Sequence, residues 1–217
     1  MKLNRIFRET FFITVIFIIT NIVLASQNYK FNPDKFLKDV QQHYKNLEDF
    51  VIEFTKEISS PVIKGGQISK GKLYFLNKNR YRLEIDGQLI ISDGETIYNY
   101  SKKAKRVVIT KFEENFFSAE NLLTNFPQNF RSEFLSEEKL GNKNVFKFRL
   151  LPASSNPEFK LMYLWISQEK IIQKIQVEDW AGNIYYFSIL SFNSNQKLKD
   201  DLIKFKIPSG VKIVDLR

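Results

Sequence analysis

The side chains able to do chemistry in this chain are few and poorly grouped. His43 is the one histidine and cysteine is absent. Thiol nucleophiles, disulfides, iron–sulfur clusters and thiolate or multi-histidine metal sites are therefore excluded by composition. A serine-based nucleophilic engine would have to bring His43 to Ser92 and Asp93, yet Ser92-Asp93-Gly94 already reads as a turn. Adjacent carboxylates occur at Glu113-Glu114, Glu137-Glu138, Glu178-Asp179 and Asp200-Asp201. General acid–base work needs two carboxylates turned to one reacting group, and neighbours on a strand point to opposite faces. The sequence carries no glycine-rich phosphate loop, His-Glu-x-x-His, calcium loop or nucleophile elbow. These residues predict a protein that is not an enzyme, with no metal and no cofactor.

What the chain does have is apolar surface. It is 217 residues long, 43% apolar, and contains 21 phenylalanines, of which only Phe7, Phe11, Phe12 and Phe17 fall in the first 25 residues. Those 25 residues read as a signal peptide: Lys2, Arg5 and Arg8 precede an apolar run from Phe11 to Leu24, and Val23 and Ala25 are small enough for a cleavage site. As a helix that run spans about 21 Å, short of the roughly 30 Å hydrocarbon core, which makes a permanent anchor the weaker reading. The expected product is residues 26–217, exported and not lipidated, since no cysteine follows the cut. No later stretch is apolar for long enough to span a membrane as a helix. Loss of Lys2, Arg5, Arg8 and Glu9 lowers the formal charge of +9 by two. The remaining Lys and Arg are spread along strands and turns, with small clusters at Lys102–Arg106 and Lys197–Lys199. That spread predicts no nucleic-acid partner and leaves attraction to an anionic membrane surface or an acidic partner open.

Hydrophobic spacing gives the elements. Asn32-Pro33-Asp34 opens a helix over about 33–46, with Phe36, Leu37, Val40, Tyr44 and Leu47 on one side. From Phe50 the period changes to two, and Asp86-Gly87 and Asp93-Gly94 mark hairpins. Further strands are expected near 67–76, 105–111, 130–139, 144–152, 159–167, 171–180 and 184–193. The fold class is mainly β: a single large antiparallel sheet of about eleven strands, curled into an incomplete, half-open barrel and covered by the N-terminal helix. One interruption, Ser118 to Phe126, reads as a short helix with Leu122, Leu123 and Phe126 on one face, ended by Pro127. It is either a plug that completes the core or a movable lid. Strands such as Phe159 to Trp165 and Ile184 to Phe192 are apolar on both faces, which fits either a thick core or a concave cavity for an apolar ligand.

Six segments, in order, resemble the bacterial outer-membrane lipoprotein carrier (LolA) family. They are Leu47–Thr55, Gly71-Lys72-Leu73-Tyr74-Phe75, Leu89–Tyr100 with its Ser92-Asp93-Gly94, Phe146–Pro152, Val177–Asn183 and Phe205–Val211. Together they run through almost all of residues 26–217, the expected domain. The resemblance implies an open antiparallel barrel that holds the acyl chains of lipoproteins and moves them across the periplasm. The implied partners are acylated lipoproteins, an inner-membrane ABC-type releasing complex and, if present, an outer-membrane acceptor lipoprotein; a monomer is expected. A sensor or interaction module on the same fold, binding lipid or lipoprotein without transport, is the alternative.

On this resemblance the acyl chains would lie against Phe50, Ile52, Phe54, Leu73, Phe75, Leu83, Ile90, Tyr98, Phe148, Leu150, Leu164 and Phe187, with Leu122, Leu123 and Phe126 as the lid. Members of the family often carry an Arg-Pro pair after the Gly-x-Leu strand, and that Arg tethers the closed lid. Here Asn77-Lys78 stands in its place, and Asn77 cannot make the charged bidentate contacts of Arg. Arg80 or Arg82 could substitute only if either reached the face that carries Leu83.

Overall fold

The computed structural model describes residues 31–62, 66–76, 79–112, 130–153 and 159–217. The expected signal peptide, the latch position Asn77 and the expected lid residues Leu122, Leu123 and Phe126 lie outside the described residues. The unit that forms the fold is Pro33–Arg217.

Helix α1, Pro33–Lys45, begins with Pro at its first position and Asp34 in its first turn, and ends with His43 and Lys45 near its negative pole. Leu37, Val40 and Tyr44 recur at helical spacing and are buried along one side. The strands are β1 Phe50–Ser59, β2 Gln67–Phe75, β3 Arg80–Ile85, β4 Gln88–Asp93, β5 Thr96–Ser101, β6 Arg106–Lys111, β7 Phe130–Leu140, β8 Lys143–Pro152, β9 Leu161–Ser167, β10 Ile172–Glu178, β11 Ile184–Ser194 and β12 Lys212–Asp215. A 3-10 turn occupies Asp200–Ile203.

The twelve strands among the described residues form one sheet in the order β12-β6-β5-β4-β3-β2-β1-β11-β10-β9-β8-β7. Every pairing is antiparallel except that of β12 with β6. The expectation of one large open antiparallel sheet holds, with twelve strands among the described residues where about eleven are expected. The connections follow local chemistry. At Asp86-Gly87 both residues take positive φ, 53° and 71°, which matches the twist of a two-residue hairpin between β3 and β4.

Gly71 in β2 is required by packing. A Cβ built there would lie 2.3 Å from Cζ of Phe54, whose ring lies across the glycine on the neighbouring strand β1.

Beyond β11 the chain doubles back over the outer face of β3–β6. Asp49, 7% exposed, fixes the departure: its carboxylate accepts the N–H groups of Gln196 at 2.6 Å and Leu198 at 2.9 Å. Arg80 then pairs with Asp200 at 2.9 Å, and Arg82 donates to the Leu202 carbonyl at 3.5 Å. Phe205 packs on Tyr98 and Tyr100 with ring centroids 5.6 and 5.8 Å away. This strap buries Ile91, Val107 and Ile109 on the outer face and ends as β12 along the β6 edge.

Candidate functional site: the inner apolar face

Cross-strand register decides which side chains share a face, because directly paired residues point the same way. One apolar row crosses β7–β11 as Phe134, Phe148, Leu164, Ile175 and Phe187. A second crosses β11 to β4 as Phe192, Ile52, Leu73, Leu83 and Ile90. Phe54 and Phe187, 6.0 Å apart, join the two. Phe50 and Phe75 stack at 4.7 Å on the same face. Leu150 follows Phe148 at strand spacing and pairs with Met162. Phe50, Ile52, Phe54, Leu73, Phe75, Leu83, Ile90, Phe148, Leu150, Leu164 and Phe187 are therefore brought to one inner face.

Tyr98 is not. It pairs with Ile91 and Ile109, whereas Ile90 pairs with Asn99. The tyrosine points to the outer face, where the strap covers it through Phe205. Its assignment to the cavity is corrected by that register.

Helix α1 covers part of the inner face. Phe36 contacts Phe146 and Phe148, at 4.8 and 6.0 Å between centroids, and Tyr44 contacts Phe50 and Phe192 at 6.1 and 5.8 Å. The Tyr44 hydroxyl accepts the Ile172 N–H at 3.1 Å. Burial raises the Tyr44 phenol far above its ordinary pKa, while the bond from Ile172 pulls the other way, so the group is a neutral hydrogen-bond partner. Beneath and beside the helix the inner side chains are sealed: Phe50, Phe148, Leu150 and Leu164 are fully buried. Farther along the second row, Leu73, Leu83 and Ile90 are half-buried, as is Ile85, two residues past Leu83 on the same face. These four, with Phe54, Phe75 and Tyr81 at their border, form the candidate seat for an apolar ligand. Tyr81, opposite Phe75, has its phenol pKa raised by burial.

The polar candidates serve the scaffold. The Ser92 hydroxyl accepts the Gly94 N–H at 3.2 Å, and Asp93 accepts the N–H groups of Glu95 and Thr96 at 2.9 and 2.7 Å, so both are used in the β4–β5 turn. Glu138 takes the Trp165 indole N–H at 2.9 Å and faces Lys147, Glu178 pairs with Lys160, and Asp201 pairs with Lys204. Arg80 and Arg82 point to the outer face, since Arg82 pairs with Tyr74 and Ile91, and both hold the strap. Neither reaches the face of Leu83. Among the described residues no group of three or more His, Asp or Glu could hold a metal ion, and no helix is long and apolar enough to cross a membrane.

Tyr81, Ile85, Met162, Ile175 and Phe192 share the inner face and were missed as site residues from sequence. The signal for Tyr81 and Ile85 was available in their alternation with Leu83.

Comparison with known proteins follows the same direction as the geometry. The sequence model of the family described as outer membrane lipoprotein carrier protein LolA matches residues 45–206. An uncharacterized protein of Methanocaldococcus jannaschii is 25% identical over 212 residues, covering 94% of this chain and 60% of that protein. The chain thus spans less than two thirds of that relative's length. An outer-membrane lipoprotein carrier protein of Legionella pneumophila (strain Corby) is 26% identical over 183 residues, covering 82% of this chain and 85% of the carrier. The crystal structure of an uncharacterized conserved protein from Thermus thermophilus superposes with a TM-score of 0.56 at 13% identity, covering 84% of this chain and 98% of that one. That likeness is one of fold alone.

Proposed function

Because this chain belongs to the outer-membrane lipoprotein carrier (LolA) family, we propose that it binds the acyl chains of lipoproteins on its inner apolar face and carries them through the periplasm. Its leader is removed near Ala25. It receives its cargo from an inner-membrane ABC-type releasing complex and passes it to an outer-membrane acceptor lipoprotein where one is present.

One observation supports the reading above the others. The row Phe192, Ile52, Leu73, Leu83 and Ile90 crosses five neighbouring strands with no ionisable side chain in it, and its outer members are only half-buried. Adjacent strands lie about 4.8 Å apart, so the row extends about 19 Å. An acyl chain of roughly 16 carbons gains more than about 10 kcal/mol on leaving water, at about 0.8 kcal/mol per methylene. Such a chain cannot cross an aqueous compartment unaided, and the row offers it apolar surface without requiring any catalytic group. Release requires that the empty state bury the same surface at comparable free energy, which keeps net affinity moderate.

The test is purification without detergent followed by native mass spectrometry and a fluorescent acyl probe. The carrier reading predicts a co-purified acylated species and saturable probe binding that Leu83→Glu weakens at least tenfold. Probe binding that is absent, or untouched by Leu83→Glu, overturns it.

A further inference from the structure

The inner face is not apolar to its border, and at one corner it ends in charge of a single sign. Register carries the row that contains Phe54 across the neighbouring strands as Gly71, Ile85, Gln88, Ser101, Arg106 and Lys212. The half-buried seat around Leu83, Ile85 and Ile90 therefore passes, through Gln88 and Ser101, into two cations. Strands lie about 4.8 Å apart, which places Arg106 about 14 Å from Ile85 along this row.

Charge in this half of the sheet is divided by face. Among the described strand residues of β1–β6 and β12, alternation puts Lys56, Arg106 and Lys212 on the inner face. The carboxylates of the same strands, Glu53, Glu57, Glu84, Asp93 and Asp215, all fall on the outer face. There Glu53 and Glu84 neutralise Lys72 and Arg82 at 2.8 and 2.7 Å. Inside, Lys56 lies 3.9 Å from Asp86 of the β3–β4 turn, whereas among the described residues Arg106 and Lys212 form no ion pair. Lys102, Lys103 and Lys105, in the turn before β6, add to the field at this corner, where the Lys212 N–H donates to the Lys105 carbonyl at 2.9 Å. The Ser101 hydroxyl accepts the Ala104 N–H at 3.2 Å, which leaves its own proton to donate. Protection of an edge strand accounts for a lysine on β12, but not for the division of charge between the faces.

We propose that the inner seat binds acylated molecules with an anionic head group, the chain lying on Leu73, Leu83 and Ile90 and the head held by Arg106 and Lys212 beside Ser101. A guanidinium presents paired N–H groups to phosphate or carboxylate oxygens, and the ammonium adds a second positive charge. The inference rests on the carrier reading for the acyl seat and extends its cargo. Ester and amide links to an acyl chain are neutral, so the charged head belongs to a free amphiphile, either an anionic phospholipid or a fatty acid.

The experiment compares dodecyl compounds that share one chain and differ in the head: dodecyl phosphate, laurate, dodecyl maltoside and dodecyltrimethylammonium. Each competes, below its micelle concentration, with a fluorescent acyl probe on the full chain. At low salt dodecyl phosphate should bind about tenfold more tightly than dodecyl maltoside, and the cationic compound least. The advantage should shrink as salt is raised. Arg106→Gln combined with Lys212→Gln should bring dodecyl phosphate down to the affinity of the maltoside. Lys111→Gln removes the same charge from the outer face of β6 and should leave the preference intact. Laurate that follows dodecyl phosphate assigns the site to both anions, and laurate that follows the maltoside assigns it to phosphate. Equal binding of dodecyl phosphate and maltoside, a preference that survives the double substitution, or one lost as fully with Lys111→Gln overturns this proposal and leaves the carrier reading standing. Failure of every dodecyl compound to compete overturns both.

Discussion

Gly71 and Phe54 show how far single residues decide this fold. The ring occupies the space a Cβ would need, so Gly71→Ala must push Phe54 off the inner face, where it also meets Phe187. The expected cost is about 1–3 kcal/mol in chemical denaturation, as for other overpacked positions. Asp49 carries comparable weight by another mechanism. Asp49→Ala strands two N–H groups at the start of the strap and should cost about 2 kcal/mol, with faster amide exchange at Gln196 and Leu198. His43 supplies a pH dependence. Burial, reinforced by the charge of Lys170, holds its pKa below the ordinary value. As pH falls the unfolded chain takes up the proton first. Stability from the neutral ring is complete above about pH 6.5 and is lost as pH falls through the lower folded value. His43→Gln should flatten the fall of stability as pH drops below about 6.5, measured by urea midpoints.

The misplacement of Tyr98 is also a lesson at this scale. Ile90 and Tyr98 are both even-numbered and both apolar, but a two-residue turn pairs even positions with odd ones. Ser92 therefore faces Ile97, and Tyr98 falls on the outer side. The turn length was legible at Gly94-Glu95; the phase it imposes has to be carried through each hairpin.

Among the elements, α1 and strands β1–β11 could be read from the chain because each repeats a local period, 3.6 or 2, and is punctuated by turns with a chemical reason. The strap and β12 could not. Residues 195–211 contain no regular period, and β12 is a four-residue strand whose parallel partner lies about a hundred positions earlier in the sequence. Its place depends on Asp49, Arg80 and Phe205 acting across that separation, which no local pattern encodes. Helix α1 offers the sharper test of packing. Its Tyr44 hydroxyl is the acceptor for the Ile172 N–H at the mouth of β10. Tyr44→Phe keeps the ring contacts with Phe50 and Phe192 but leaves a buried donor unsatisfied. It should destabilise by about 1–3 kcal/mol and raise exchange at Ile172 more than at β4 or β5. An equal rise across the sheet would mean that the helix is no separate cover for the inner face.

At the scale of the whole molecule, a poverty of nucleophiles and a wealth of phenylalanine resolve into two faces with different duties. The outer face is tied by ion pairs such as Lys72–Glu53 and Arg82–Glu84 and by the strap, whereas the inner face is apolar across both halves of the sheet. Which face meets the cargo is the central claim, and site-specific photo-crosslinking in the producing cells tests it most directly. A crosslinker at Leu83, half-buried on the inner face, should capture acylated lipoprotein. The same group at Leu89, half-buried on the outer face of the adjacent strand, should capture none. Capture at Leu89 equal to that at Leu83, or none at either position, would contradict the account.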